Sequence, residues 1–193
     1  MPEEFTDERL LARARGGDEQ AFLSLYERHH AAMFRFACRL LGSASLAEDA
    51  VHDCFIELIE RAGFDPSRGP LRNYLYGAVR HRALRQFRRV GREAEWDDEA
   101  EGRRAAGPCA PLDRLLGEEL GEVVRAAVQS LPPLQREALL LYEYEELSLA
   151  EIAGITGADV GAVKGRLWRA RSSLRRQLAP YLFAGAEALA AKD

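Results

Sequence analysis

Long apolar runs are missing from this sequence. Nowhere does it reach the roughly 20 apolar residues needed to cross a bilayer, so no membrane insertion is expected. Its first residues, Met1-Pro2-Glu3-Glu4, are acidic and lack a signal-peptide core, which points to the cytoplasm. Cysteine is scarce. Cys38, Cys54 and Cys109 are odd in number and unrelated in spacing, which argues against a disulfide framework or a CxxC zinc site. Cys38 and Cys54 read instead as small core residues. An excess of positive charge is also absent. With 27 Lys and Arg against 31 Asp and Glu, the net charge is -4, which excludes a protein that coats DNA indiscriminately. A reader of DNA with locally concentrated positive charge remains open. Convergent catalytic groups are lacking too. His29 and His30 lie near Cys38, and His52 and Asp53 adjoin Cys54, but neither set has HExxH spacing. On a helix His29 and His30 would point about 100° apart. There is no Gly-rich phosphate loop, so no enzyme activity, metal or cofactor is expected.

What is present is helical periodicity. The 193 residues suffice for one domain or two small ones, and 47% of them are hydrophobic, enough for a core. Ala21, Phe22, Leu25 and Tyr26 recur at helix spacing, as do Met33, Phe34, Ala37, Leu40 and Leu41. Asp18 suits the N-cap of this first long helix, and Gly42 ends it. Ser45-Leu46-Ala47-Glu48 reads as a capping box opening a helix with Val51, Phe55, Leu58 and Ile59 on one face. Residues 63–70 are dense in helix breakers, and Pro70 fits the first turn of the next helix, which carries Leu71, Leu75, Val79 and Leu84. Arg80, Arg82, Arg85, Arg88, Arg89 and Arg92 make its end basic, and an acidic run from Glu93 to Glu101 follows. Positions 91–112, poor in apolar residues, read as a mobile linker. No strand pattern is convincing. The expected architecture is all-α, with two small helical domains on a flexible tether. An extension covers 1–17, the domains 18–90 and 113–178, and a tail 179–193.

The second domain ends in the strongest motif. Ser148-Leu149-Ala150-Glu151 is another capping box, its short helix ends at Thr156-Gly157, and Asp159 can cap a final helix on Val163, Leu167, Ala170 and Leu174. A short helix, a tight turn and a longer basic helix make a helix-turn-helix. Gly161, Gly165, Trp168 and Ser172 fall opposite the apolar stripe of that last helix, and the two glycines keep its outer face slim enough to approach a DNA groove. Val160, Gly161, Ala162 and Lys164, near its N-terminus, are the candidates for base proximity. Lys164, Arg166, Arg169 and Arg171 can neutralise phosphates.

The stretch from Ser148 to Ala153, with Val163-Lys164-Gly165-Arg166-Leu167-Trp168-Arg169-Ala170-Arg171, closely resembles the C-terminal domain of extracytoplasmic-function (ECF) sigma factors, the small promoter-specificity subunits of bacterial RNA polymerase. Leu131-Pro132, Arg136 and Ala138-Leu139 match the same domain. Ala47-Glu48-Asp49-Ala50-Val51-His52-Asp53-Cys54-Phe55 resembles the family's polymerase-binding helix, and Leu71-Arg72-Asn73-Tyr74-Leu75 through Arg80 and Arg88-Arg89 its promoter-opening helix. Some positions depart from the pattern. Tyr74 stands for a usual Trp, Gly77 for a bulkier residue, His81 for Asn, Ala162 for Thr and Gly165 for Ser.

The resemblance implies a division of labour. The second domain would bind the upstream (-35) promoter element as duplex through Val160, Gly161, Ala162, Lys164, Arg166, Trp168, Arg169 and Arg171. The first would hold the melted downstream (-10) element through Arg68, Arg72, Asn73, Tyr74, Arg80 and Arg85, with an extruded base in the loop 64–69. Tyr74 could equally be a core aromatic. A separate face, Glu48, Asp49, His52, Asp53, Phe55 and Glu57, would grip a coiled coil of the polymerase's largest subunit, with the flap as a second contact. An anti-sigma factor is the expected inhibitor. Two rivals stand beside this reading. A stand-alone helix-turn-helix regulator leaves the first domain unexplained, and a sigma mimic that only sequesters an inhibitor has no need of Lys164, Arg166, Arg169 and Arg171.

Overall fold

The computed structural model describes residues 5–61, 63–89 and 118–190, with side chains over 5–61, 63–85 and 120–181. The expected linker at 91–112 and the side chains of Arg88, Arg89 and Arg92 lie outside the described residues. Every regular element among the described residues is helical.

Helix α1 (Asp7–Arg15) occupies the expected extension and turns Leu10, Leu11 and Ala14 into the core against α2 (Glu19–Leu41). Asp18 caps α2 by accepting from the Ala21 N–H at 3.0 Å, and Arg13 pairs with it at 2.6 Å. The backbone bond first, then Arg13, holds its carboxyl below the usual value. Gly42, left-handed at φ 69°, closes α2. The next helix, α3 (Ala44–Glu60), starts earlier than the sequence suggests. Its N-cap is Ser43, which accepts from the Leu46 N–H, while Ser45 lies within the first turn. With two serines two apart, the Glu48 spacing favoured the wrong one. Pro70 sits just before α4 (Leu71–Arg89), where its carbonyl accepts from Asn73. Phe36, Phe55, Leu58, Leu71, Leu75 and Val79 from α2, α3 and α4 are buried together.

The second unit comprises α5 (Glu118–Gln129), α6 (Pro133–Glu143), α7 (Leu149–Thr156) and α8 (Val160–Ala190). Pro133 opens α6 at a position whose N–H would have no partner in any case. The expected tail is not a separate piece at its start, because α8 continues through Pro180 to Ala190. Cys54 is a free, buried thiol pushed up to about 12 by burial. Cys38 is instead disulfide-bonded, which corrects the reading against disulfides. Bridging depends on how closely two backbones approach, which sequence spacing does not reveal.

The two units touch. α6 packs on α2 and α7 on α4, and buried residues of both halves form one continuous cluster. Arg136, 3% exposed, donates to the Leu40 carbonyl at 2.8 Å, and Gln129 donates to that of Arg39 at 2.6 Å. Both acceptors belong to the last turn of α2, where carbonyls lack intrahelical donors.

Candidate nucleic-acid interface

The α7–α8 pair is fixed by local chemistry. Ser148 Oγ accepts from the Glu151 N–H at 3.3 Å, and Glu151 accepts from the Ser148 N–H at 2.9 Å, completing the capping box. Gly157 takes φ 70°, a left-handed conformation that glycine adopts without steric cost, and its N–H bonds the Ala153 carbonyl. Asp159 accepts from the Ala162 N–H at 2.8 Å and starts α8. Ile152, Val163, Leu167 and Ala170 are buried between the helices. The opposite face of α8 therefore looks outward. Val160, Gly161, Lys164 and Arg171 are exposed, and Trp168 is 71% exposed. Ala162, Gly165, Arg166 and Arg169 are half-buried. A Cβ at Gly165 would lie 3.5 Å from the Arg169 guanidinium, and Arg166 acts electrostatically on Glu137 of α6, so neither arginine is a plain outer-face cation. Arg171 donates twice to Glu143, at 2.9 and 2.6 Å, with its guanidinium 5.1 Å from the Tyr142 ring centre.

On the first unit, Asp65 accepts from both the N–H and the hydroxyl of Ser67, which draws its carboxyl below the usual range and stiffens a 3₁₀ turn, Pro66–Arg68. Arg68 is exposed on that turn, as are Arg72 and Arg85 on α4. Tyr74 is half-buried with its ring edge-on to Phe64 at 5.7 Å, so it is neither a core residue nor a fully open stacking platform. Asn73, Tyr76 and Arg80 recur at i, i+3 and i+7 and share one face of α4. Each meets a glutamate of the second unit. Asn73 donates to Glu151 at 3.0 Å, the Tyr76 hydroxyl donates to Glu145, and Arg80 pairs with Glu137, whose side chain is fully enclosed. Arg72 stands 3.9 Å from Glu151. The bond from Asn73, then the Ser148 cap, lowers the Glu151 carboxyl. Burial pushes the Glu137 carboxyl up to about 7, against the pull of Arg80 and Arg166. Burial, then Glu145, raises the Tyr76 phenol.

The acidic face of α3 is partly as expected. Glu48, Asp49, His52 and Asp53 are exposed. Phe55 is not on that surface: it is 1% exposed and packs on Tyr26 at 4.9 Å, because it belongs to the apolar stripe of an amphipathic helix. Glu57 is half-buried and held by Arg82 and Arg61, the first of which does most to lower its carboxyl. The sequence reading missed Ile56, which is 43% exposed and follows His52 by four residues, placing an apolar patch within the acids.

Family models match both units: Sigma-70 region 2 over residues 25–93, and Sigma-70, region 4, over residues 121–174. The ECF RNA polymerase sigma-E factor of Escherichia coli (strain K12) is 31% identical over 192 aligned residues, spanning 94% of this chain and 99% of that protein. The chain belongs to the ECF sigma factors. Among solved structures, CnrH in complex with the cytosolic domain of CnrY is similar at a TM-score of 0.64 and 27% identity, covering 90% of this chain and 97% of that one. The sigma factor RpoE of Bartonella quintana, in complex with the anti-sigma factor NepR, is similar at 0.59 and 26%, covering 77% and 91%.

This protein is thus an alternative sigma factor, acting in promoter recognition and transcription initiation. In this sigma factor no helix among the described residues is long and apolar enough to cross a membrane. None of the glutamates at Glu137, Glu145 and Glu151 stood out in the sequence as a partner of α4, since only the fold brings α6 and α7 to that helix.

Proposed function

We propose that the sigma factor divides its work between its halves. The domain at 113–178 reads the upstream promoter element as duplex, with Val160, Gly161, Ala162 and Lys164 at the base edges, Trp168 beside them, and Arg166, Arg169 and Arg171 toward phosphates. The observation that carries this is the α7–α8 pair, whose caps and turn hold an exposed, slim helix face ahead of a basic helix. Helices presented in this way enter the major groove. The domain at 18–90 holds the melted downstream element along Arg68, Arg72, Asn73, Tyr74, Arg80 and Arg85. Single strands are bound by a basic track with aromatic platforms, and this set has that composition.

The exposed acids Glu48, Asp49, His52 and Asp53, with Ile56 among them, supply the contact to the largest-subunit coiled coil of core polymerase, and the second domain contacts the flap. An apolar centre ringed by charge suits a specific protein contact. Glu57 and Phe55 support this face from within. The protein acts in the cytoplasm, performs no catalysis of its own and is restrained by an anti-sigma factor, as the two similar complexes suggest.

The test is reconstitution. Purified chain added to bacterial core polymerase should yield promoter-specific run-off transcripts, and the charge reversals Asp49→Lys and Asp53→Lys together should abolish them by blocking assembly. Absence of transcripts from the unaltered chain, with the core enzyme shown active, would sink the reading.

A further inference from the structure

The acidic face of α3 borders a ladder of rings on α2. Phe22, Tyr26, His30 and Phe34 recur every four residues, so they stand one above the other. Tyr26 lies 6.0 Å from Phe22, and the His30 ring is stacked between Tyr26 at 4.5 Å and Phe34 at 5.9 Å. All four are half-buried. The ladder runs beside α3, where Tyr26 meets Phe55 and His30 meets Glu48. Burial first, then the Glu48 charge, raises the Tyr26 phenol, so this one carboxylate acts on two rungs.

His30 is held but not satisfied. Its Nε2 is enclosed and has no hydrogen-bond partner among the described residues. Glu48 Oε1 stands 3.6 Å away, beyond hydrogen-bond reach, on a side chain that is 54% exposed. Beside a neutral ring that carboxylate is free to turn outward. A protonated ring is a cation packed between two aromatic rings, and it draws the carboxylate in. Histidine is the side chain whose charge ordinarily changes between pH 5 and 8. The charged surroundings are few. From α3 the ring faces Glu48, with Asp49 and His52 on the same exposed face, and on α2 Glu27 lies one turn before it. From α1, Asp7 takes His29 instead, at 2.8 Å and about 100° around the helix from His30. Helices α4, α5 and α6 reach α2 further on, at Phe36, Arg39 and Leu40.

We propose that His30 is a positioning residue for the docking of core polymerase: uncharged, it leaves Glu48 to the cations of the incoming coiled coil, and protonated, it turns Glu48 inward and removes one negative charge from the acidic face. This rests on the reading of that face as the polymerase contact, and adds the residue that tunes it. Complementary charge steers and orients such an encounter, so assembly tightens as pH rises from 6 to 8.

The experiment reads binding of the fluorescently labelled full chain to core polymerase by anisotropy, at pH 6 and pH 8 and one ionic strength. His52 is a second histidine on the same face, so every chain carries His52→Gln. To this parent is added His30→Phe, which keeps an aromatic ring in the ladder, His30→Gln, which keeps a polar group, or Glu48→Gln. Circular dichroism checks that each is folded. Titration of the polymerase itself is common to all chains and cancels in the comparison. The parent should bind about threefold more tightly at pH 8 than at pH 6, and each added substitution should bring that ratio to about one. A ring that only fills space would change affinity equally at both pH values and leave the ratio alone. The proposal is overturned if the ratio survives in the folded His30 variants, or if the parent shows no such ratio. Failure of the polymerase-face reading is a separate result: Asp49→Lys with Asp53→Lys would then bind core polymerase as tightly as the parent at both pH values.

Discussion

The outer face of α8 and the stripe on α4 are made of similar residues, yet one lies open and the other is covered. Both combine cations, small or polar groups and an aromatic ring. On α8 the neighbours that bury residues, α6 and α7, approach from behind, so Lys164 and Trp168 face solvent. On α4 the same two helices approach from the front, and Asn73, Tyr76 and Arg80 are taken up by carboxylates. Basic composition therefore marks where anions can bind. Which element packs across it decides whether the site is available.

The most severe way to break this comparison is to remove the support behind α4. Phe36 is fully buried and meets the Tyr76 ring edge-on at 5.2 Å. Phe36→Ala should cost about 3–5 kcal/mol in urea unfolding, as cavity-forming replacements of buried aromatics do, and release α4 from α2. A loss under 1 kcal/mol would show that α4 is held by something else. On the open side, Ser148→Ala removes the hydroxyl half of the capping box, leaving the backbone N–H of residue 148 on Glu151, and should cost about 1 kcal/mol. Thermal unfolding measures this, with duplex affinity falling as α7 frays. Lys164→Ala sharpens the contrast without touching the fold. It should lower the salt slope of duplex binding by about 1 and leave single-strand binding as it was. An unchanged slope would remove Lys164 from the duplex contact. The smallest effect concerns acidity. Burial pushes the Glu137 carboxyl of the folded chain up to about 7 from its ordinary value of 4.5, so folding takes up a proton between these values. Its stabilising contribution is complete at low pH and is lost as pH rises through 7, with Arg80 and Arg166 facing the group and limiting the swing. Thermal unfolding at pH 6 and pH 8 should find the chain less stable at pH 8, and Glu137→Gln should flatten the difference.

How legible all this was in the sequence depended on the range of each interaction. The helix-turn-helix could be read nearly residue by residue, because Ser148, Glu151, Gly157 and Asp159 act within four residues of their partners. The same rule misplaced the start of α3 by two residues, since Ser43 and Ser45 both satisfy it locally. Phe55 was assigned to a surface although its own periodicity put it with Val51 and Leu58 on the buried side. The bond at Cys38 and the pairs from Glu137, Glu145 and Glu151 to α4 were out of reach. The pairs to α4 join residues 57 to 78 positions apart, where spacing carries no information and only packing decides.

The anchoring of the second unit on α2 has a consequence for how this family member can drift. Gln129 and Arg136 grip main-chain oxygens of Arg39 and Leu40, and every amino acid supplies such an oxygen. Exchanging side chains at those two positions leaves the acceptors in place, so a mutational scan of α2 would pass over these two bonds and register only the contact of Arg39 with the Tyr144 ring. The two bonds can be undone from one side only, by altering the donors that reach across.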